Sequence, residues 1–351
     1  MLIATIFRLL LEFIFWSLAD LSTIVAIMSS NHTKTVLSPS NNDIIGTYYK
    51  KSLYNHPQHS VAIATLKTLM KVLEEDRSTT VVGLRENVRG AIDRLKQIET
   101  CVQVESVSEI FLRFITLYVS RYDSFEALKK ALTTRSELFL QNGVIMAKEK
   151  AAKLASRFIA NKTKILMHSR SMTVLECLKN ANKEDKDIFV YVTESRLDSS
   201  GKEMCDLLAK EGIQCQLIMD ASIGIYLEKV DMVMVGAEGV CSSGGILNKV
   251  GTYPLAICAQ AINKPFYVVA ESYKFIRMYP LNQNDVPSNV SNRRTPQDTL
   301  SDVGLENKSS NIELPEDKLD YTPPAYITLL LTDLGPLTTA AISDELMKIY
   351  L

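Results

Sequence analysis

From about residue 46 to 162 the apolar positions recur at helical spacing, and no run reads as a strand. Ala62, Leu66, Leu69, Met70 and Leu73 fall at i, i+4, i+7, i+8 and i+11, one stripe of a helix. Ser78 is placed to cap the next helix, whose stripe runs through Val82, Val88, Ile92 and Leu95. Phe111, Leu112, Phe114 and Ile115 belong to a third helix. A long helical stretch from Ser124 to about Ala160 is broken near Asn142-Gly143. Core packing accounts for all of these stripes.

From residue 164 onward, short β-branched runs alternate with helical segments. The strands are KILMH (164–168), DIFVYVT (187–193), IQCQLIM (213–219), DMVMVG (231–236), PFYVVA (265–270) and YITLLLT (326–332). Helices fit at 171–183, 200–212, 251–263 and 338–348. Continuous apolar strands covered by crossover helices imply a parallel sheet buried on both faces. Right-handed crossovers make that sheet open and doubly wound. The fold class is therefore α/β: an N-terminal all-helical domain at 44–162, then a Rossmann-like doubly wound parallel-sheet domain at 163–351. Residues 282–323 are rich in Asn, Ser, Pro and charge, and read as a mobile insertion before the last strand. The pair Arg293-Arg294 within it is too short a charge run to mark a site.

Residues 1–43 read as an extension outside the fold. The first 28 are strongly apolar, but Arg8, Glu12 and Asp20 interrupt the run, against a spanning helix. Arg8 also lies inside the apolar stretch rather than ahead of it, against a signal peptide. Met28 is the expected start. Triplets at Asn31, Asn161, Asn289 and Asn307 fit glycosylation acceptors, which a cytosolic chain never has modified.

The chain has 351 residues, 39 Lys+Arg and 40 Asp+Glu, a net charge of −1. That balance argues against a nucleic-acid partner or an anionic membrane surface. The six cysteines show no CxxC and sit in apolar surroundings, consistent with a reducing compartment. Four histidines are too few for a His-rich metal site, and no cofactor is implied.

Candidate chemistry lies where ligands of open sheets bind, beyond the carboxyl ends of the strands. The first strand ends in Met167-His168-Ser169-Arg170-Ser171, leading into a helix. Ser171 either helps the helix N-terminus hold a phosphate or simply caps it. The second ends in Thr193-Glu194-Ser195-Arg196, suited to polyols or anions or to a solvated loop. The fourth ends at Glu238, followed by Ser242-Ser243-Gly244-Gly245 and Asn248-Lys249. The spacing fits neither a dinucleotide fingerprint nor a P-loop. A carboxylate at 238 accepts sugar hydroxyls while Lys249 faces a phosphate.

The strings YVTES (191–195), VGAEGV (235–240), GGILNKVGT (244–252), NKPFYVVAES (263–272) and TDLGPLTTAAISDELMKIYL (332–351) resemble the initiation factor 2B alpha/beta/delta subunit family. GLRENV (83–88) and FLRFITL (111–117) carry the resemblance through the helical half, and SDELMKIYL favours the alpha branch. The same family is related to sugar-phosphate isomerases, which carry a catalytic Cys and Asp where this chain has Ser169 and Glu238. A serine hydroxyl is a far weaker acid than a thiol, and glutamate moves the carboxylate one methylene outward. The resemblance thus implies a retained sugar-phosphate pocket at Arg85, Ser169, Ser171, Glu194, Arg196, Glu238, Asn248 and Lys249, with no catalytic residue. It also implies a cytosolic regulatory subunit of the guanine nucleotide exchange complex. Such a subunit homodimerises, bridges the beta, gamma, delta and epsilon subunits, and senses phosphorylated initiation factor two under stress. The C-terminal Leu346, Ile349, Tyr350 and Leu351 read as an apolar docking surface. An active aldose–ketose isomerase is the alternative.

Overall fold

The computed structural model describes residues 39–54, 60–119, 121–122, 124–286 and 318–350. Expectations placed on residues 1–38 and 287–317 lie outside these. The helical part comprises α1 (Pro39–Tyr54), α2 (Val61–Glu75), α3 (Val81–Ile98), α4 (Val102–Val119), α5 (Phe125–Leu138) and α6 (Met146–Ser156). A π-helical turn, Phe139–Ile145, joins α5 to α6 where the sequence predicts a break. Its Phe139 ring packs edge-on against Phe114 of α4, with centroids 5.3 Å apart. Ser78 does not cap α3. Its backbone bonds to the Asp76 carboxylate instead, and Thr80 accepts from Gly83 N at 3.2 Å. Starting the helix there puts Val82 on the outer face, 68% exposed, while Leu84, Val88, Ala91, Ile92 and Leu95 are buried.

The α/β part contains β1 (Thr163–His168), α7 (Met172–Lys183), β2 (Ile188–Thr193), α8 (Ser200–Lys210), β3 (Gln214–Ile218) and α9 (Ile223–Leu227). It continues with β4 (Met232–Val235), β5 (Gly239–Cys241), β6 (Ile246–Lys249), α10 (Thr252–Ala261), β7 (Phe266–Val269) and β8 (Phe275–Ile276). After the undescribed stretch come β9 (Leu319–Thr322), β10 (Leu329–Thr332), β11 (Gly335–Leu337) and α11 (Ala341–Tyr350). The main sheet runs β11-β10-β7-β4-β1-β2-β3. Its strands are parallel except β11, which pairs antiparallel with β10. Alternation along the strands divides the core in two. Ile165 and Met167 face α6, α7 and α8, while Leu166 faces the side covered by α9, α10 and α11. The chain from β1 builds toward β2 and β3, and the chain from β4 builds the other way. The topological switch point therefore lies between β1 and β4, where open sheets place ligands.

Three features differ from the sequence reading. β3 is an edge strand rather than a doubly buried one, with Gln214, Gln216 and Leu217 exposed. A second sheet, β8-β5-β6-β9, forms around β5 and β6, which come from the glycine-rich stretch after Glu238. Its strand β9 falls inside 282–323, so residues 318–323 are an ordered part of the fold. Gln283 holds the Tyr321 backbone from both sides, its Nε2 to the carbonyl and its Oε1 to the N–H. Leu346 is buried, and Ile349 packs against the core, so neither offers the expected docking surface. From Ile45 the chain forms one compact unit, and Tyr273 of the α/β part is buried within the helical core.

Candidate functional site

His168 and Thr193 end β1 and β2 in register. His168 Nε2 lies 2.9 Å from the Val250 carbonyl, so that nitrogen carries the proton. Nδ1 is then an acceptor and receives the Thr193 hydroxyl at 2.5 Å. Burial pushes the imidazole below its ordinary value and keeps it neutral. The turn after Lys249 approaches the ring so closely that only glycine fits. Gly251 has φ +111, and a Cβ there would sit 2.6 Å from His168 Cε1.

One step on, Ser169 adopts a left-handed backbone (φ 62). So do Ser195 and Ser199 in the loop after β2, at φ 51 and 53. Non-glycine residues rarely hold this conformation, and such residues cluster at ligand sites. Ser195 N and Arg196 N donate to the two Asp220 oxygens at 2.9 and 2.8 Å, which fixes the loop. Inside it, Asp198 Oδ1 accepts from Ser195 Oγ at 2.9 Å and from Ser200 Oγ at 2.7 Å. Asp198 Oδ2 takes the Lys249 ammonium, which also reaches Ser200 Oγ at 3.0 Å. Burial alone would raise the Asp198 carboxyl. The bonds from Lys249 and Ser200 outweigh it and hold the group down at about 2.

The proton directions follow. A carboxylate only accepts, so Ser200 donates to Asp198 and receives the Ser169 hydroxyl at 2.6 Å. Ser169 is thus a donor at the end of a chain that runs through Ser200 to Asp198. Both nitrogens of the adjacent His168 are engaged elsewhere. Among the described residues the Ser169 hydroxyl reaches a carboxylate through Ser200, and with its pKa held at about 2 that carboxylate is a weak base for activating a nucleophile.

The remaining residues expected at the site divide. Glu238, half-buried after β4, accepts from Gln103 Nε2 of α4 at 2.9 Å and so ties the helical part to the α/β part. Ser171 caps α7, accepting from Val174 N at 3.3 Å. Its Oγ would lie 2.4 Å from a Cβ at Gly236, so the ends of β1 and β4 touch. Asn248 is buried, with Nδ2 donating to Thr252 at 3.1 Å. Glu194 uses its backbone, receiving Gly201 N and donating to Ile218 O. Arg85 and Arg196 are exposed. Among the described residues, neither guanidinium joins the cluster.

Asp198, Ser200, Asp220 and Asp320 are among the polar residues that the sequence reading missed. Asp-Ser-Ser-Gly at 198–201 reads equally well as an ordinary helix start. Asp320 sits in β9 and accepts from Gly251 N at 2.8 Å and Tyr253 N at 3.0 Å. Burial raises its carboxyl to about 7. Thr173 and Lys274 hold the buried Glu271, at 2.7 and 2.8 Å, on the far side of the same region. Away from these residues, a cleft of about 470 Å³ opens between α4 and α5, lined by Tyr118, Tyr122, Lys130 and Arg135 among others. Among the described residues, no three His, Cys, Asp or Glu side chains group to hold a metal. No described helix is long and apolar enough to cross a membrane.

Comparisons with known proteins bear on the family and the fold. The chain is 40% identical to the translation initiation factor eIF2B subunit alpha of Dictyostelium discoideum, over 88% of this chain and 97% of that protein. It is 28% identical to the ribose 1,5-bisphosphate isomerase of Archaeoglobus fulgidus, over 62% of this chain and 68% of the isomerase. In fold it resembles a chain of the tetrameric eIF2B-beta2-delta2 complex from C. thermophilum, at TM-score 0.69 and 20% identity, covering 89% and 95% of the two chains. Residues 54–339 match the model of the initiation factor 2 subunit family, and this chain belongs to that family.

Proposed function

We propose that this chain is a regulatory subunit of the exchange complex for initiation factor two, with no catalytic activity of its own. The observation that carries the reading is its likeness to an eIF2B alpha subunit along 97% of that relative's length. By the same likeness it pairs with a second copy in the cytosol, bridges the beta, gamma, delta and epsilon subunits, and takes part in the response to phosphorylated initiation factor two. The strand-end cluster serves as a sugar-phosphate pocket. Lys249, Ser169 and Ser171 face the phosphate side, and Glu238 and Asn248 the sugar. Arg85, Arg196 and Glu194 supply the rim once a ligand draws them in.

Isomerase kinship gives the second reading, an aldose–ketose isomerase. Against it stands the hydrogen-bond chain from Ser169 to Asp198, which joins the hydroxyl only to a weakly basic carboxylate, with a pKa of about 2. Purified chain with ribose 1,5-bisphosphate separates the two. At ~100 times its dissociation constant the ligand adds about 2.7 kcal/mol and raises the Tm. Lys249→Ala and Glu238→Ala abolish that rise, and no ketose product accumulates. Conversion at enzyme-like rates would instead establish the isomerase.

A further inference from the structure

Two of the six cysteines lie against each other where α8 packs on the edge of the main sheet. Cys205 is midway along α8, and Cys215 is the second residue of β3, reached after the Gly212 turn. Cys215 Sγ donates to the Cys205 carbonyl at 3.6 Å, and the thiols are within hydrogen-bonding reach of each other. Both are partly exposed, whereas Cys177 and Cys241 are buried. β3 is the last strand of its sheet, with Gln214, Gln216 and Leu217 open to solvent. Small oxidants therefore reach this seam.

We propose that Cys205 and Cys215 form a reversible intrachain disulfide when the protein meets hydroperoxide. The Cys215 thiolate attacks a peroxide oxygen, the O–O bond breaks, and water or an alcohol leaves. Cys215 is now a sulfenic acid. The Cys205 sulfur then attacks it, the S–S bond forms, the S–O bond breaks, and hydroxide departs as water with the Cys205 proton. The thiol pair loses two electrons and the peroxide gains them; a dithiol reverses the bond. Burial raises both thiols, Cys205 to about 12; at Cys215 the hydrogen bond with Cys205 offsets part of that rise, so Cys215 reacts first. Few thiolates at neutral pH make the reaction slow, so it registers sustained oxidant rather than a brief pulse.

The bridge would tether the helix whose first residue, Ser200, anchors both Ser169 and Lys249. The test treats the full chain with hydrogen peroxide, then alkylates it in denaturant and maps it by mass spectrometry. The expected result is a loss of two hydrogen masses, a Cys205–Cys215 cross-linked peptide, and full alkylation of the other four cysteines. The oxidised form should also melt at a higher temperature than the reduced form, and dithiothreitol should restore the original value. Cys205→Ser and Cys215→Ser should each prevent the mass loss. Full alkylation of both residues, a sulfinic acid at either, or a disulfide between two chains would overturn the proposal.

Discussion

His168 and Asp320 act on the same turn from opposite sides, and their protons respond oppositely to pH. Burial depresses the His168 pKa, so the unfolded chain binds that proton more tightly. Its effect is a loss of stability on acidification below about 6.5. Asp320 is raised from 3.8 to about 7, so the folded state holds its proton more tightly. Its contribution is present below pH ~3.8 and is lost as pH rises through about 7. Asp320→Asn removes this dependence and keeps one oxygen for the Gly251 and Tyr253 amides. The stability of the variant minus that of wild type should climb between pH 4 and 7 by at most about 4 kcal/mol, then level off. Urea unfolding at several pH values measures this, and a flat difference would contradict the Asp320 assignment. At this scale the legible site residues are those that end apolar runs, namely Ser169, Glu238 and Lys249. Asp320 is not legible, because a four-residue strand beside a charged, Pro-rich segment carries no periodic signal.

The elements depend on a few backbone positions. Gly251 (φ +111) starts α10 with His168 against it, so Gly251→Ala combines strain with a clash. Gly212 also has a positive φ, +72, but open space around it. Gly212→Ala should cost about 1 kcal/mol, and Gly251→Ala should exceed that by roughly 2 kcal/mol or more. Equal losses in denaturant unfolding would remove the close approach from the account. At the entry to α3, Thr80→Ala should cost about 1 kcal/mol, whereas Ser78→Ala should leave the helix cap intact. The longer helices and the six main parallel strands are readable from periodicity, whereas the five-residue α9 is not. Nor is the second sheet, because β5, β6, β8 and β9 span two to four residues each, and β8 and β9 pair with β5 and β6 across long separations. Edge exposure of β3 is likewise invisible from its apolar ends, although Gln214 and Gln216 are the polar alternation of a strand with one open side.

For the whole molecule, the two parts are joined at the site itself. Gln103 of α4 reaches Glu238, and the Ser106 hydroxyl reaches the Tyr273 carbonyl. If the proposed pocket takes a ligand that moves Glu238, that movement pulls on the helical part through Gln103. The proposed pairing predicts a dimer in sedimentation at micromolar concentration, since stable homodimers commonly bury more than ~2,000 Å², and a persistent monomer would count against bridging. A two-fold axis presents each surface twice, which lets one pair join two identical halves of a larger complex.

The most direct measurement is nucleotide release from initiation factor two, catalysed by complexes reconstituted with and without this chain. Each complex is assayed in the presence and absence of the phosphorylated factor. A regulatory, non-catalytic subunit predicts that release continues without the chain, while inhibition by the phosphorylated factor weakens. Equal inhibition of both complexes, or release that stops when the chain is withheld, would contradict it.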